Sequence, residues 1–276
     1  MYSEPFIIDD NQDILYLRGW NDIDNKVMAG FTTRIGGVSH TPFDTFNLGL
    51  HVKDNITDVI TNRETLAKRL RFPLSQWVCA EQIHDKKVVK VTKKHVGLGV
   101  YNYEQGITGT DGIYTDNSNI LLTLCFADCV PIYFFDPVKR LIGLAHAGWQ
   151  GSVKNIASEI IQKWVINENV DPTNIKVVIG PSISECCYIV DDKVIEAARE
   201  ALNNTTTDHY YTEVSKGQYR LDLKTLNKLL LIENGVSPSN IEVSSYCTSC
   251  ESKFFSHRRD KGKTGRMLSF IGLKED

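Results

Sequence analysis

Three apolar runs follow one another with little between them: "NILLTLC" (119–125), "PIYFF" (131–135) and "LIGLAHA" (141–147). They constrain the fold more than any other feature of the chain. Each is short, rich in β-branched or aromatic side chains and bounded by turn formers, which is the pattern of a strand. Asp136 and Pro137, with Val138 and Lys139, supply a turn of hairpin length between the last two. "MAGFTT", "WVCAEQIH", "KVVKV", "KVVIG", "IEVSSYC" and "RMLSFIGL" read the same way. Strands therefore outnumber helices, which favours a mixed α/β, or α+β, protein over a regular βαβ repeat. No linker, low-complexity segment or repeat divides the chain, so a single domain, residues 1–276, is expected.

Four helices are expected. The first, about 57–71, follows an Asn/Thr start, and the second, about 152–166, places Ile156, Ile160, Ile161 and Trp164 at helical spacing. A third, about 191–203, begins at the N-cap candidate Asp191. The fourth, about 223–234, lies between Asp222 and the C-cap candidate Gly235. The polar stretch around 202–218 reads as a surface excursion rather than a linker. No dinucleotide-binding, P-loop or nucleophile-elbow motif occurs.

Composition narrows the function. A formal net charge of −3 gives no bulk attraction to nucleic acid or to an anionic membrane. No apolar run approaches the roughly 20 residues that span a bilayer, and the opening "MYSEPFIIDDNQD" has no signal-peptide pattern. The expectation is a cytoplasmic protein, monomeric or weakly dimeric. Seven cysteines without a secretory segment argue for free thiols rather than a disulfide framework. "CTSC" (247–250) is a lone C-x-x-C, which the vicinal Cys186 and Cys187 could complete as a zinc site; two free thiols near a strand end is the plainer reading. The basic stretch "FFSHRRDKGKTGR" reads as a solvated turn, with one arginine available to an anion.

The chemistry-bearing residues sit at the ends of the central runs. His146 closes "LIGLAHA" just before "GWQG" and a helix start, where unpaired N–H groups favour an anion. Cys129, in "ADCVPI", interrupts two apolar runs. If 120–126, 131–136 and 140–146 form a meander, Cys129 and His146 share one rim. That suits a nucleophile with its base, and equally two metal ligands. His84, ending "WVCAEQIH" with Gln82 beside it, is the third candidate. Three mixed N/S ligands with one position open describe a catalytic zinc site better than a structural one.

These blocks together resemble the laccase-domain, or YfiH-like, family, once called polyphenol oxidases and since described as zinc-dependent purine nucleoside phosphorylases. The resemblance runs nearly end to end. It rests on "TTRIGGVS", "FNLGLHVKD", "NR" at 62–63, "EQIH", "GTDGIYT", "ADCVPI", "AHAGWQGSV", "IGPSISECCYIVDD" and "FFSHRRDKGKTGRMLSFIGL". It implies His84, Cys129 and His146 as zinc ligands and a layered α/β fold likened to cysteine-dependent toxin deamidases. It also implies phosphorolysis of adenosine, inosine and methylthioadenosine, with some adenosine deamination. Asp111 and Asp128 are then the candidate proton carriers. Asn47 and Arg63, with Arg34 and Arg258, are candidate ribose or phosphate contacts. Where the family commonly carries a cation, this chain has the neutral Gln150.

Two other readings compete. Cys129 could be the nucleophile of an amide hydrolase acting on a peptidoglycan precursor, with His146 as base, or the cleft could bind a nucleoside without turnover. Multicopper oxidation is disfavoured: the chain has seven histidines, no H-x-H pair, and no methionine near these motifs to serve as an axial ligand. Copper remains a less suited ion than zinc. The H-x-E…P-C-x-x-C pattern of the zinc deaminases is also absent.

Overall fold

In the computed structural model, which describes residues 4–203 and 209–275, the apolar runs become strands of two stacked sheets. The chain begins β1 (Phe6–Ile8), β2 (Ile14–Leu17), α1 (Trp20–Ile23), β3 (Val27–Thr32), α2 (Ile56–Leu70), β4 (Trp77–Cys79) and β5 (Val88–Lys90). The centre holds β6 (Gly112–Thr115), β7 (Leu121–Phe126), β8 (Val130–Asp136), β9 (Leu141–Ala147), α3 (Trp149–Val153) and α4 (Ile156–Glu168). Then come β10 (Lys176–Ile179), β11 (Ile189–Asp191), α5 (Asp192–Ala201), β12 (Tyr211–Ser215) and β13 (Gln218–Leu221). The chain closes with α6 (Leu223–Glu233), β14 (Ile241–Val243) and β15 (Met267–Leu273).

One mixed sheet has the order β1-β2-β3-β15-β7-β4, the second β14-β10-β8-β9-β6-β5, and a small one β11-β13-β12. The two large sheets pack face to face. Phe31, Leu122, Leu124 and Phe126 of the first meet Tyr133, Phe135, Ile142 and Leu144 of the second in one buried cluster. The opposite face of the second sheet, with Ile132, Phe134 and Val177, is covered by α4, α5 and α6. The outer face of the first sheet packs on Leu66, Ala67 and Leu70 of α2. The result is four layers: helix, sheet, sheet, helices. It explains why β8 is apolar at nearly every position, since both of its faces are buried. Each such large side chain contributes about 1.5–3 kcal/mol. The Tyr133 hydroxyl donates to the carbonyl of Gly30 across the sheets, 2.8 Å away, so even the polar tip is satisfied. Gly30 must stay small: a Cβ there would lie 2.5 Å from the Phe270 ring and 2.6 Å from the Leu15 carbonyl.

Several expectations change. The three central runs do not form one meander, because β7 belongs to the first sheet while β8 and β9 form a hairpin in the second. A strand with two apolar faces can join either layer, and sequence alone does not say which. Residues 127–129 are therefore the crossover between layers. The helix expected over 152–166 is two: Asn155 takes a left-handed conformation (φ 58°) and caps α4 by accepting from the Ser158 N–H, which breaks it from α3. The strand expected to reach His84 stops at Cys79. Of the polar stretch 202–218, residues 204–208 lie outside the described residues, and the rest forms β12 and the turn into β13. The caps at Asp191 and Asp222 are as expected: each carboxylate accepts from the N–H three residues on.

Candidate metal centre and its cavity

Asp111, fully buried, organises the site. Its carboxylate accepts from the N–H groups of Ile83, His84 and Asp85 at 3.1, 3.1 and 2.9 Å. These donors fold the loop after β4 into a tight turn in which His84 has φ 61°. The same carboxylate lies 2.8 Å from Nδ1 of His146, at the end of β9. With Nδ1 occupied, His146 has Nε2 left for a ligand, which is how carboxylate–histidine–metal triads orient an imidazole. Gln82 anchors the loop a second time: its amide donates to the Cys125 carbonyl and accepts from the Cys125 N–H, both at 2.8 Å.

Cys129 enters from the crossover. In the hairpin register Pro131 faces His146 and Val130 faces Ala147, so Cys129 comes level with Gly148. A Cβ on Gly148 would lie 2.9 Å from Cys129 Sγ and 3.0 Å from the His84 ring. The glycine leaves room for the thiol and imidazole to converge. Cys129 Sγ is 3.8 Å from His84 Nε2, and one ligand atom from each of His84, Cys129 and His146 falls within 4.8 Å of the others. Burial opposes ionisation of Cys129, but His146 and His84 outweigh it and draw the thiol down to about 6. Burial also opposes the His146 cation, and the Cys129 thiolate and Asp111 override it, raising the imidazole to about 9. The donor set is soft, preorganised and ready to lose a proton. It fits a metal ion held by three protein ligands with an open side.

That side faces a cavity of about 590 Å³, within the range of small-molecule sites. Trp149, Ile183, Tyr188 and Leu223 supply apolar wall, and Gln150, His51, His257, Arg258 and Arg266 supply polar groups. Asp128 is also at the wall, but both oxygens are engaged: one accepts from the Thr248 hydroxyl at 2.7 Å, the other from the Arg258 N–H at 2.8 Å.

Three expected substrate contacts are not brought to this cavity. Arg63 is buried with its guanidinium donating to the carbonyls of Leu48, Gly99 and Val100. Asn47 is buried, bonded to the Asp54 carboxylate and the Arg266 N–H. Arg34 pairs with Asp44 and stacks on Phe255 at 4.7 Å. Each holds loops together, a role a motif cannot distinguish from ligand binding. Arg258 alone of the four lines the cavity, stacked over Tyr188 at 5.1 Å. The helix start expected to favour an anion is that of α3, a helix of five residues whose Trp149 and Gln150 line the cavity. Tyr188, Ile183, His51 and Leu223 were not singled out as cavity residues, although Ile183 and Tyr188 lie within "IGPSISECCYIVDD" and His51 within "FNLGLHVKD".

A family model described as multi-copper polyphenol oxidoreductase laccase matches residues 28–274. The chain belongs to this laccase-domain family. The Bacillus subtilis protein named purine nucleoside phosphorylase YlmD is 49% identical over 265 residues, 95% of each chain. The crystal structure of YlmD from Geobacillus stearothermophilus superposes with a TM-score of 0.95 at 47% identity, over 99% of this chain and 100% of that one. A Bacillus licheniformis protein titled YfiH gives 0.93 at 47% identity, with the same coverage. The family's copper-oxidase description sits poorly with this chain's seven histidines and with a centre of two imidazoles and one thiol.

Proposed function

We propose that the whole chain acts as one catalytic domain, a zinc-dependent purine nucleoside phosphorylase that converts adenosine, inosine and methylthioadenosine with phosphate to free base and ribose 1-phosphate. Adenosine deamination at the same centre is part of the proposal. The observation that carries it is the His84, Cys129 and His146 cluster opening on the 590 Å³ cavity, in a chain 49% identical to a protein named for that activity. Zinc suits one thiolate and two imidazoles better than copper chemistry does, and when bound it supplies Lewis acidity to a substrate oxygen.

The chain's own groups do the rest. Asp111 holds the His146 tautomer and the His84 turn; with its oxygens taken by four N–H donors, it positions ligands rather than carrying protons. Asp128 fixes the crossover that presents Cys129. Trp149 and Tyr188 offer faces for a purine to stack on. Arg258 and Arg266 supply the positive charge that phosphate needs, in place of the cation missing at Gln150. His51 is neutral at pH 7, since burial first and then Arg266 and Arg63 push it down to about 4, and it can hydrogen-bond a base edge without charge. We place the protein in the cytoplasm, as a monomer or weak dimer; no described helix is long and apolar enough to cross a membrane.

A second reading has a specific support. Without metal, Cys129, His146 and Asp111 form a thiolate–imidazole–carboxylate series suited to amide hydrolysis. The experiment is hypoxanthine release from inosine by zinc-loaded protein, with and without phosphate. Phosphate-dependent release, lost in His146→Ala, is expected. No release from protein carrying zinc at this site would overturn the phosphorylase reading and favour the amide substrate.

A further inference from the structure

The two cysteine pairs, 60 to 64 residues apart in sequence, meet in space. Cys186 and Cys187 lie in the turn before β11, Cys247 and Cys250 in the loop after β14. The sulfurs of Cys186 and Cys187 are each 3.3 Å from that of Cys250, and Cys186 is 3.7 Å from Cys187 and 3.8 Å from Cys247. All four lie within 4.8 Å of one another. A tetrahedron of sulfurs bonded to zinc at about 2.3 Å has edges of about 3.8 Å. A disulfide requires about 2.05 Å. We propose that Cys186, Cys187, Cys247 and Cys250 hold a second, structural zinc ion, closed on all four sides and separate from the His84, Cys129 and His146 centre.

The surroundings suit such an ion. Four thiolates and one zinc carry a net double negative charge, which needs compensation. Lys224 is buried beside them, its ammonium donating to Ser184 Oγ at 3.1 Å and to the carbonyls of Ser244 and Tyr246 at 2.9 and 2.7 Å. Ser184 stands two residues before Cys186 and Tyr246 immediately before Cys247, so this cation clamps both ligand loops. The Ser184 N–H also donates to Cys247 Sγ at 3.4 Å, a bond that stabilises a thiolate. Backbone contacts preset the register: Thr248 N–H donates to the Ser182 carbonyl, and Ser182 and Cys247 form a parallel bridge. On binding, the thiols release their protons to solvent, so no oxidant or reductant is required.

The place of the cluster gives it a purpose. One loop it ties carries Tyr188 in the cavity wall, and the other carries Thr248, which holds Asp128. A closed four-thiolate zinc would staple the cavity wall to the layer crossover, adding to the small core of these half-buried loops. Metal analysis of protein purified under reducing conditions without chelator tests this. Two zinc ions per chain are expected, falling to one in Cys250→Ser, to one in His146→Ala, and to none when both changes are combined. Cobalt loaded into His146→Ala should show the strong sulfur-to-metal absorption of an all-thiolate tetrahedral site. Should Cys250→Ser fail to fold, an organomercurial titration of His146→Ala, which lacks the other zinc, gives the same reading, with its one remaining zinc released as the thiols react. A single zinc that vanishes entirely in His146→Ala would overturn the proposal. So would finding these four cysteines as disulfides. Because the zinc count is read at each centre separately, neither result depends on phosphorolysis.

Discussion

At the scale of single residues, the site turns on a carboxylate whose oxygens are taken up by the protein itself. Asp111 receives three backbone N–H groups and an imidazole, and it stays ionised although burial works against it, because His146 and those N–H groups outweigh the cost. Asp111→Asn keeps the shape but gives up the charge and offers one acceptor oxygen instead of two. Metal affinity at the His84, Cys129 and His146 centre should fall by about 10- to 100-fold, as for other supporting partners of metal ligands. Competition with a chromogenic chelator measures it, and unchanged affinity would mean that backbone contacts alone orient His146. The candidate ligands were readable, since His84 and His146 close apolar runs and Cys129 lies between two, each in a recognisable block. Arg34, Asn47 and Arg63 were read as ligand contacts for one reason: a polar side chain that bonds within the protein looks, in sequence, like one that awaits a ligand.

At the scale of elements, the crossover between β7 and β8 makes the site. It carries Asp128 and Cys129 from one sheet to the other, and the hairpin register then sets Cys129 against Gly148. Gly148 itself has φ −66° and ψ 173°, a conformation any residue accepts, so its side-chain hydrogen matters for space alone. Gly148→Ala should therefore leave the circular dichroism unchanged while metal affinity at this centre drops more than about tenfold, the cost of misplacing a ligand. Retained metal would show that the Cys129 side chain can swing clear. The helix boundaries at Asn55, Asp191 and Asp222 were legible from capping chemistry. The break at Asn155 was not, because its left-handed turn interrupts an apolar period that continues on both sides.

At the scale of the molecule, the four layers are tied at their edges as well as through their cores. Arg69 of α2 reaches Asp9 and Asp13 beside the first hairpin, pinning the helical layer to the sheet beneath it. Asp13 is the uneasy member: burial, then Asp9, raise its carboxyl to about 6 against the pull of Arg69, and its Oδ1 has no hydrogen-bond partner. The unfolded chain releases this proton near 3.8, whereas the folded chain keeps it to about 6. Stability from this group is thus fully present below about pH 4 and is lost as the pH rises through about 6. Asp13→Asn should flatten the stability profile in that window, as read from urea midpoints. An unaltered slope would assign the proton to another group.

The sequence by itself determined the strand-rich class, the capped helices, the three metal-ligand candidates and the family, because these depend on local pattern and on residues lying within short blocks. Tertiary structure alone decided which sheet each apolar run joined, that the Asp111 carboxylate meets three backbone N–H groups and His146, and that Arg63 is spent on carbonyls. It alone brought Cys186 and Cys187 to Cys247 and Cys250. Those outcomes depend on contacts between residues tens to hundreds of positions apart, and a run buried on both faces carries no mark of which neighbour will cover it.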